Sequence, residues 1–289
     1  MKVAVITDST AYISDSHRKE KNIHMVPLNV VIGNDSYQEE IDISTEEFYQ
    51  KVKEVEQFPK TSQPSIGLIT EKLKELAENY DQAIFITLSS GISGTFQSVV
   101  TAQSMVEGID VFPFDSEISC MAQGFYVLEA AELAQNGEDA ETIMSRLHEM
   151  KGSLRAYFMA DDLTHLHRGG RLNGAQALIG SMLQVKPILH FEDTKIVPYE
   201  KIRTKKKALK RIFQLFEEDA STGVPIRATV IHANREAEAE EFKQQLETRF
   251  ENVEVSVSYF GPVIGTHLGE GSLGMGWYKK SVVRPLKNV

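Results

Sequence analysis

The sequence has one cysteine and no long apolar run, and these two shortages exclude several classes of protein. The single cysteine, Cys120, allows no internal disulfide and no cysteine-rich metal site, which fits a cytoplasmic protein. No run of about 18 apolar residues exists, so we expect no transmembrane helix. The N-terminal segment reaches Asp8 too soon to form the apolar core of a signal peptide.

Positive charge is also in the minority. The chain has 31 Lys and Arg against 41 Asp and Glu, and its net charge of −10 argues against a nucleic-acid partner. The exception is segment 201–211, which contains seven cations and no acid. Such a segment is typical of the solvated face of an amphipathic helix. The alternatives are docking to an acidic partner and transient contact with an anionic membrane surface.

The first half of the chain predicts an α/β fold built on a parallel sheet. At 289 residues the chain is longer than a usual single domain, so we expect two. Repeated strand–helix units favour a mostly parallel sheet covered by helices. The predicted strands span 3–6, 25–32, 83–88 and 109–113, and the predicted helices span 65–79, 95–107, 118–135 and 138–150.

After Gly152 strand signals outnumber helix signals. Two amphipathic helices are predicted, one carrying Leu209 and Phe216 and the other Phe242 and Leu246. This pattern favours a mixed sheet with helices on one side, so we predict domains at 1–152 and 153–289 with a ligand between them. The predicted strands are 155–160, 187–191, 195–199, 226–231 and 253–259.

Four short polar clusters, far apart in the sequence, join hydroxyl or cationic donors to a Gly or Pro turn. Each lies beside a predicted strand or helix end, where free N–H groups and the helix dipole favour an anion. Together they predict a clamp for a carboxylate or a phosphate, assembled from both halves. The clusters are 61–65, 89–95, 168–171 and 265–269.

Each cluster also has a plainer interpretation. Segment 61–65 is equally typical of a helix cap, segment 89–95 of a cap and tight turn, and segment 168–171 of a solvated loop. His267 lies in a glycine-rich bend, where most isolated histidines are structural or exposed. Asp8 and Asp115 follow strands and suit capping better than Mg²⁺, so we expect no metal site.

The glycine-rich cluster 89–95 does not match known catalytic motifs. No Gly-Lys-Ser/Thr follows it, which excludes a Walker loop. Gly94 directly follows Ser93, which excludes the Gly-x-Ser-x-Gly turn of hydrolases. These observations favour a binding protein. The rival hypothesis is a stand-alone kinase, phosphatase or hydrolase that uses Ser93 and His267.

In this order, the clusters resemble the DegV family, which includes the fatty-acid-binding subunits of bacterial fatty acid kinase. The resemblance extends from segment 7–10 to segment 271–274. It implies two α/β domains with a long-chain fatty acid buried between them, no other cofactor and no catalytic residue. It implies that Thr61 and Ser93 hold the carboxylate with help from Arg171 and His267.

The resemblance also implies a protein partner. A separate ATP-dependent kinase would phosphorylate the bound carboxylate to an acyl phosphate, and Arg203 would engage that kinase.

Burying a sixteen-carbon chain at about 0.8 kcal/mol per CH₂ would contribute roughly 11 kcal/mol to fatty-acid binding before ordering costs. We expect further residues of the clusters to line the cleft, namely Ser62, Gly94, Thr95, Gly170, Gly265 and Thr266.

Overall fold

The computed structural model describes residues 1–172 and 186–280, which within those ranges form three β-sheets and a set of helices. The strands are β1 (Val3–Asp8), β2 (Ile23–Val26), β3 (Asn29–Ile32), β4 (Asp35–Gln38), β5 (Lys60–Ser62), β6 (Gln82–Thr87), β7 (Asp110–Asp115), β8 (Arg155–Met159), β9 (Ile188–Glu192), β10 (Lys195–Glu200), β11 (Ile226–His232), β12 (Val253–Tyr259) and β13 (Leu273–Lys279). The α-helices are α1 (Asp15–Lys21), α2 (Thr45–Lys51), α3 (Ile66–Ala77), α4 (Thr95–Gln103), α5 (Cys120–Gln135), α6 (Ala140–Ser153), α7 (Leu163–Arg168), α8 (Lys205–Ala220), α9 (Glu236–Arg249) and α10 (Pro262–Leu268).

The first sheet is parallel throughout, with strand order β2-β1-β6-β7. Strands β1 and β6 are buried along their whole length, which is why both are almost continuously apolar in sequence. The carboxyl ends of these strands meet at one edge, where the turns after β1 and β6 lie close together. The predicted parallel α/β architecture of the first half is therefore confirmed.

The second sheet is mixed and has the order β10-β9-β8-β13-β11-β12. Helices α8 and α9 cover one face, where Ile212, Phe216 and Leu246 pack with Trp277 of β13. The next residue, Tyr278, points to the other face and packs with α5 and α6. The predicted mixed sheet is confirmed. The division of the chain at 152 stays a prediction.

Helix α5 lies between the two sheets and joins the two halves. It contacts β1 and β6 on one side and β11, β12 and β13 on the other. A helix in this position must be apolar and small around most of its circumference. At Gly124, for example, an added Cβ would lie 2.8 Å from the sulfur of Met121 and 3.0 Å from the carbonyl oxygen of Ala11.

The single strand predicted over 25–32 is wrong, because the structure divides it between two sheets. Pro27, which cannot donate a ladder hydrogen bond, separates β2 from β3. Strand β3 is the centre of a small antiparallel sheet with order β4-β3-β5. This sheet packs against the second half of the chain, where Val30 shares a core cluster with Phe260 and Ile264.

Several further elements differ from the sequence prediction, including the strands β4 and β5 and the helices α1 and α7, which were not predicted. Strand β13 was not predicted, because its glycines are rare in strands; at Gly274 an added Cβ would lie 2.8 Å from the Cβ of Phe158. The predicted bend around His267 is helix α10, which starts with Pro262 in its first turn. No helix in residues 1–172 and 186–280 is long and apolar enough to cross a membrane.

Candidate functional site

A cavity of about 350 Å³ lies between the two halves of the molecule. Its volume falls in the range of about 300–1,000 Å³ that is usual for small-molecule sites. Most of its lining is apolar, and its polar groups come from the four clusters together with Ser119 and Tyr157. The apolar lining includes Leu28, Leu88, Ile92, Ile118, Phe158, Leu166, Phe191, Ile196, Ile231, Phe260, Val263, Ile264, Leu268 and Met275.

The four predicted clamp residues all line this cavity. Thr61 comes from β5, Ser93 from the turn between β6 and α4, Arg171 from the chain after α7, and His267 from α10. Two of the six residues expected to line the cleft, Ser62 and Gly94, also border the cavity. The structure therefore brings together donors that are up to 206 residues apart in the sequence.

His267 and Thr61 form one hydrogen-bonded unit. The imidazole Nε2 lies 2.8 Å from the Thr61 hydroxyl oxygen. Burial, followed by the charges of Arg171 and His165, lowers the pKa of His267 to about 3, so the ring is neutral at physiological pH. When Nε2 carries the ring proton and donates it to Thr61, the Thr61 hydroxyl proton is free to point at an anion.

The Nδ1 edge of the His267 ring packs closely against the chain around Gly169. Its Nδ1 is buried and has no hydrogen-bond partner within the described ranges. A Cβ added at Gly169 would lie 2.2 Å from this nitrogen, so a side chain at position 169 would collide with the ring. Gly169 is thus the glycine of segment 168–171 that packs against the His267 ring, whereas the prediction that Gly170 lines the cleft is wrong.

Arg171 ties two clusters together. Its Nε donates to the carbonyl oxygen of Ile92 (3.1 Å), and its Nη1 donates to the carbonyl oxygen of Gly169 (2.6 Å). Partial burial lowers the pKa of Arg171, but a guanidinium starts so high that it stays charged. Arg171 and His267 were both expected to offset an anion's charge. In this structure only Arg171 is cationic.

Ser93 combines a turn contact with a position on the cavity wall. Its hydroxyl oxygen accepts the N–H of Thr95 (3.3 Å) and lies 2.9 Å from the Thr95 hydroxyl oxygen. The N-cap residue of α4 is Gly94, which has no side chain to cap the helix, so the tight-turn interpretation fits and the side-chain cap does not. Gly94 lets clusters 61–65 and 89–95 pack closely, because an added Cβ would lie 2.1 Å from the side-chain oxygen of Gln63. Gln63 in turn donates to Ser98 Oγ (2.7 Å).

The other residues expected in the cleft do not border this cavity. Thr95 is buried behind Ser93, and Gly170 has a φ of +69° with open space around it. At Gly265 an added Cβ would lie 2.5 Å from the Tyr49 hydroxyl oxygen, so this glycine lets α10 pack closely on α2. The Thr266 hydroxyl donates to the carbonyl oxygen of Pro262 (2.8 Å).

The carboxylates of Asp8 and Asp115 are occupied by backbone N–H groups. Asp8 accepts from Thr10 (3.0 Å) and Leu88 (2.7 Å), and Asp115 accepts from Ser90 (3.1 Å) and Glu117 (3.0 Å). The capping interpretation is confirmed for Asp8, which is the N-cap of a short 3-10 helix at Ser9–Ala11, but it is wrong for Asp115, which stabilises the turn before α5, a helix whose N-cap is Ser119. Across 1–172 and 186–280, no group of three or more His, Cys, Asp or Glu side chains is arranged to hold a metal ion.

The hairpin between β9 and β10 closes the cavity from the second half. Phe191 and Ile196 of this hairpin line the cavity, and its turn residue Thr194 accepts a hydrogen bond from the Ser89 hydroxyl (2.6 Å). At Gly91 an added Cβ would lie 2.3 Å from the same carbonyl oxygen of Thr194. The glycine-rich cluster 89–95 therefore contacts the β9–β10 hairpin as well as lining the cavity, which sequence spacing does not reveal.

Comparisons with known proteins agree with this architecture. A family model described as "Uncharacterised protein, DegV family" matches residues 2–280. Protein DegV of Bacillus subtilis (strain 168) is 58% identical over 278 residues, which is 96% of this chain and 99% of that protein. The crystal structure of DegV from Bacillus subtilis, described as a fatty acid binding protein, has a TM-score of 0.93 at 58% identity and covers 97% of this chain and 100% of that one. A DegV family protein from Thermus thermophilus, described by its fatty acid binding, has a TM-score of 0.90 at 30% identity and covers 97% of this chain and 100% of that one.

Proposed function

The chain belongs to the DegV family, and from that membership we propose that it binds a long-chain fatty acid in the cavity between its halves. One observation carries the proposal: a mostly apolar cavity has hydroxyl, imidazole and guanidinium donors from four distant clusters. The apolar wall suits an acyl chain, and the donors suit its carboxylate. The Bacillus subtilis and Thermus thermophilus relatives described as fatty acid binding support the same ligand class.

In the proposed complex, the carboxylate lies against Thr61 and Ser93, with His267 and Arg171 behind them. A buried carboxylate must keep its hydrogen bonds, because an unpaired buried charge is very costly. Hydroxyl donors provide those bonds, and the Arg171 guanidinium provides the balancing charge. The acyl chain supplies most of the binding free energy, at about 0.8 kcal/mol for each buried CH₂.

We infer that the protein acts as a carrier and not as an enzyme. The rival hypothesis needs Ser93 to be activated by His267, and nucleophile and base are then expected within hydrogen-bond reach. His267 Nε2 is bonded to Thr61 and Ser93 to Thr95, so each partner is engaged elsewhere. A separate ATP-dependent kinase would then phosphorylate the presented carboxylate to an acyl phosphate.

Segment 201–211 is the proposed docking surface for that kinase. Arg203 is exposed in the link between β10 and α8, away from the cavity lining. Two neighbouring cations are engaged within the chain, because Lys205 pairs with Glu238 and Arg211 with Glu200. The exposed cations suit an acidic surface on the partner. They are Lys201, Arg203, Lys206, Lys207 and Lys210.

Native mass spectrometry of the protein, purified without detergent from cells that make fatty acids, tests the proposed function. We expect one added mass per chain that equals a long-chain fatty acid and that is lost on denaturation. A protein that is empty, and that stays empty when palmitate is added, would refute fatty-acid binding. A protein loaded with a nucleotide or a sugar phosphate would instead support the rival enzyme.

A further inference from the structure

A fully buried carboxyl group, Glu39, lies between the two halves of the molecule and touches the helix that carries His267. Its exposed fraction is 0%. Its Oε1 accepts the backbone N–H of Val263 in the first turn of α10 (2.7 Å) and the hydroxyl of Tyr12 (2.9 Å). Its Oε2 lies 2.6 Å from the Ser9 hydroxyl oxygen. Glu39 is not part of the cavity lining.

These contacts leave α10 dependent on residues from the first half of the chain. The first N–H groups of a helix have no partner inside it and must be satisfied from outside when they are buried. Glu39 satisfies Val263, and the Tyr12 hydroxyl accepts from the next N–H, that of Ile264 (3.2 Å). His267 follows one turn later on the same helix.

The same polar segment reaches the other side of the clamp. Ser9, which contacts Glu39, is next in sequence to Asp8. Asp8 accepts the N–H of Leu88, the residue that leads into cluster 89–95 with Ser93. Segment 7–10, to which the proposed function gives no role, therefore connects the His267 side with the Ser93 side.

The protonation state of Glu39 fits this arrangement. Burial raises the pKa of Glu39 to about 8, so the group is a neutral carboxylic acid at pH 6.5. Its carbonyl oxygen then accepts from Val263 and Tyr12, and its O–H can donate to Ser9. Ser9 Oγ also accepts the N–H of Leu28 (3.1 Å). A glutamine can make the same set of contacts, whereas a methionine of similar length can make none.

We propose that Glu39 is a positioning residue of the carboxylate clamp, which acts through α10 by holding His267 against Thr61. The proposal rests on the proposed function, because it assigns a supporting role to a residue outside the fatty-acid site. Its structural part, the anchoring of α10, applies to the protein with or without a ligand.

Palmitate binding to delipidated protein at pH 6.5 tests the positioning role. We expect Glu39→Met to weaken palmitate binding about tenfold, the usual effect of losing one hydrogen bond to a buried charged group. Glu39→Gln should restore affinity to within about threefold of wild type, since it can make the same hydrogen bonds. Glu40→Gln is the matched control. Glu40 is the next residue and accepts a hydrogen bond from the Tyr259 hydroxyl (2.9 Å), but it does not bond α10. The palmitate affinity of Glu40→Gln should therefore equal that of wild type.

A double-mutant cycle with His267→Ala separates positioning from general destabilisation. If Glu39 acts through His267, Glu39→Met should change affinity less than about twofold in the His267→Ala background. An equal loss in both backgrounds would overturn the proposal, and so would unchanged affinity of Glu39→Met in the wild-type background.

Amide hydrogen exchange of α10 gives a second readout that needs no ligand. We expect faster exchange at Val263 and Ile264 in Glu39→Met, restored by Glu39→Gln, with the global unfolding midpoint measured in parallel. If Glu39→Met does not fold, Tyr12→Phe removes a single hydroxyl from the same network and should act in the same direction. Unchanged exchange in both variants refutes the anchoring role. If palmitate binds to no form of the protein while exchange does respond, the proposed function fails and the anchoring of α10 stands.

Discussion

The substitution Gly169→Ala is predicted to damage the carboxylate clamp without touching the cavity. The new Cβ would lie 2.2 Å from Nδ1 of His267, and ordinary van der Waals contact begins at 3.4 Å. The ring or the loop must therefore move by about 1.2 Å. If the ring moves by that distance, it loses its 2.8 Å bond to Thr61; if the loop moves instead, the bond from Arg171 to the Gly169 carbonyl oxygen is disturbed. Losing one hydrogen bond at a buried anion costs roughly 1–3 kcal/mol, so we expect palmitate affinity to fall roughly 5- to 150-fold.

The backbone at this position makes the steric effect easy to isolate. Gly169 has φ −71° and ψ −11°, which alanine adopts without strain. Gly170→Ala is the matched control, since Gly170 has φ +69° but open space around it. It should cost about 1–2 kcal/mol of folding stability and leave affinity unchanged. Calorimetric titration of delipidated protein with palmitate, together with thermal unfolding, distinguishes the two. Equal affinity for Gly169→Ala and wild type would refute the role given to the His267 ring.

Three further predictions concern the clamp, the docking surface and pH. Ser93→Ala should lower fatty-acid affinity by about 1.5–3 kcal/mol while the fold stays intact, measured as lipid retained after purification; unchanged loading would argue against Ser93 as a carboxylate donor. Arg203→Ala should slow phosphorylation of the bound lipid by the cognate kinase without changing lipid affinity, and the coupling should weaken as salt rises; loss of lipid with intact coupling would place Arg203 in the pocket. The pKa of His267 is about 3 in the folded protein and 6.5 for an unperturbed ring. Between these two pH values the unfolded state therefore binds one proton more at His267 than the folded state does. The free energy of unfolding of wild type should therefore fall as pH drops from 6.5 towards 3. The fall should exceed that of His267→Gln by up to about 1.4 kcal/mol per pH unit. Identical pH profiles of the two proteins in urea unfolding would contradict this.

The polar residues of the proposed clamp could be picked out because their signals are local. A hydroxyl or a cation beside a Gly turn at the end of a strand is visible in the sequence, and strand ends in parallel sheets converge. All four border one cavity, but only Ser93 follows a strand of the parallel sheet. Thr61 lies on β5 of the antiparallel sheet, Arg171 follows α7 and His267 lies on α10, so their convergence comes from the packing of the two halves. Their shared role was suggested by family resemblance as well as by the residues themselves.

The parts that could not be predicted depend on partners distant in sequence. Glu39 is followed by Glu40 and looks like a surface acid, and its contacts with Ser9, Tyr12 and Val263 make it a buried anchor. Gly169 and Gly170 are indistinguishable in sequence, and the position of the His267 ring alone separates their roles.

Strand boundaries show the same limit of local reasoning. Residues 25–32 are mostly apolar and were predicted as one strand, but Pro27 and the packing of β3 on the second half assign them to two sheets. Strand β13 contains glycines because neighbouring strands and α5 approach it closely; at Gly276 an added Cβ would lie 3.0 Å from the Cβ of Ala122. Pro27 is visible in the sequence and marks the break between β2 and β3, whereas the close packing around β3 and β13 is not visible there.

A crystal structure of the delipidated protein reloaded with palmitate tests the central claim most directly. We predict one palmitate per chain in the cavity between the halves, with its carboxylate about 2.5–3.2 Å from the Thr61 and Ser93 hydroxyl oxygens and its chain against Phe191 and Ile264. A palmitate whose carboxylate lies at the opposite end, or outside this cavity, would contradict the account.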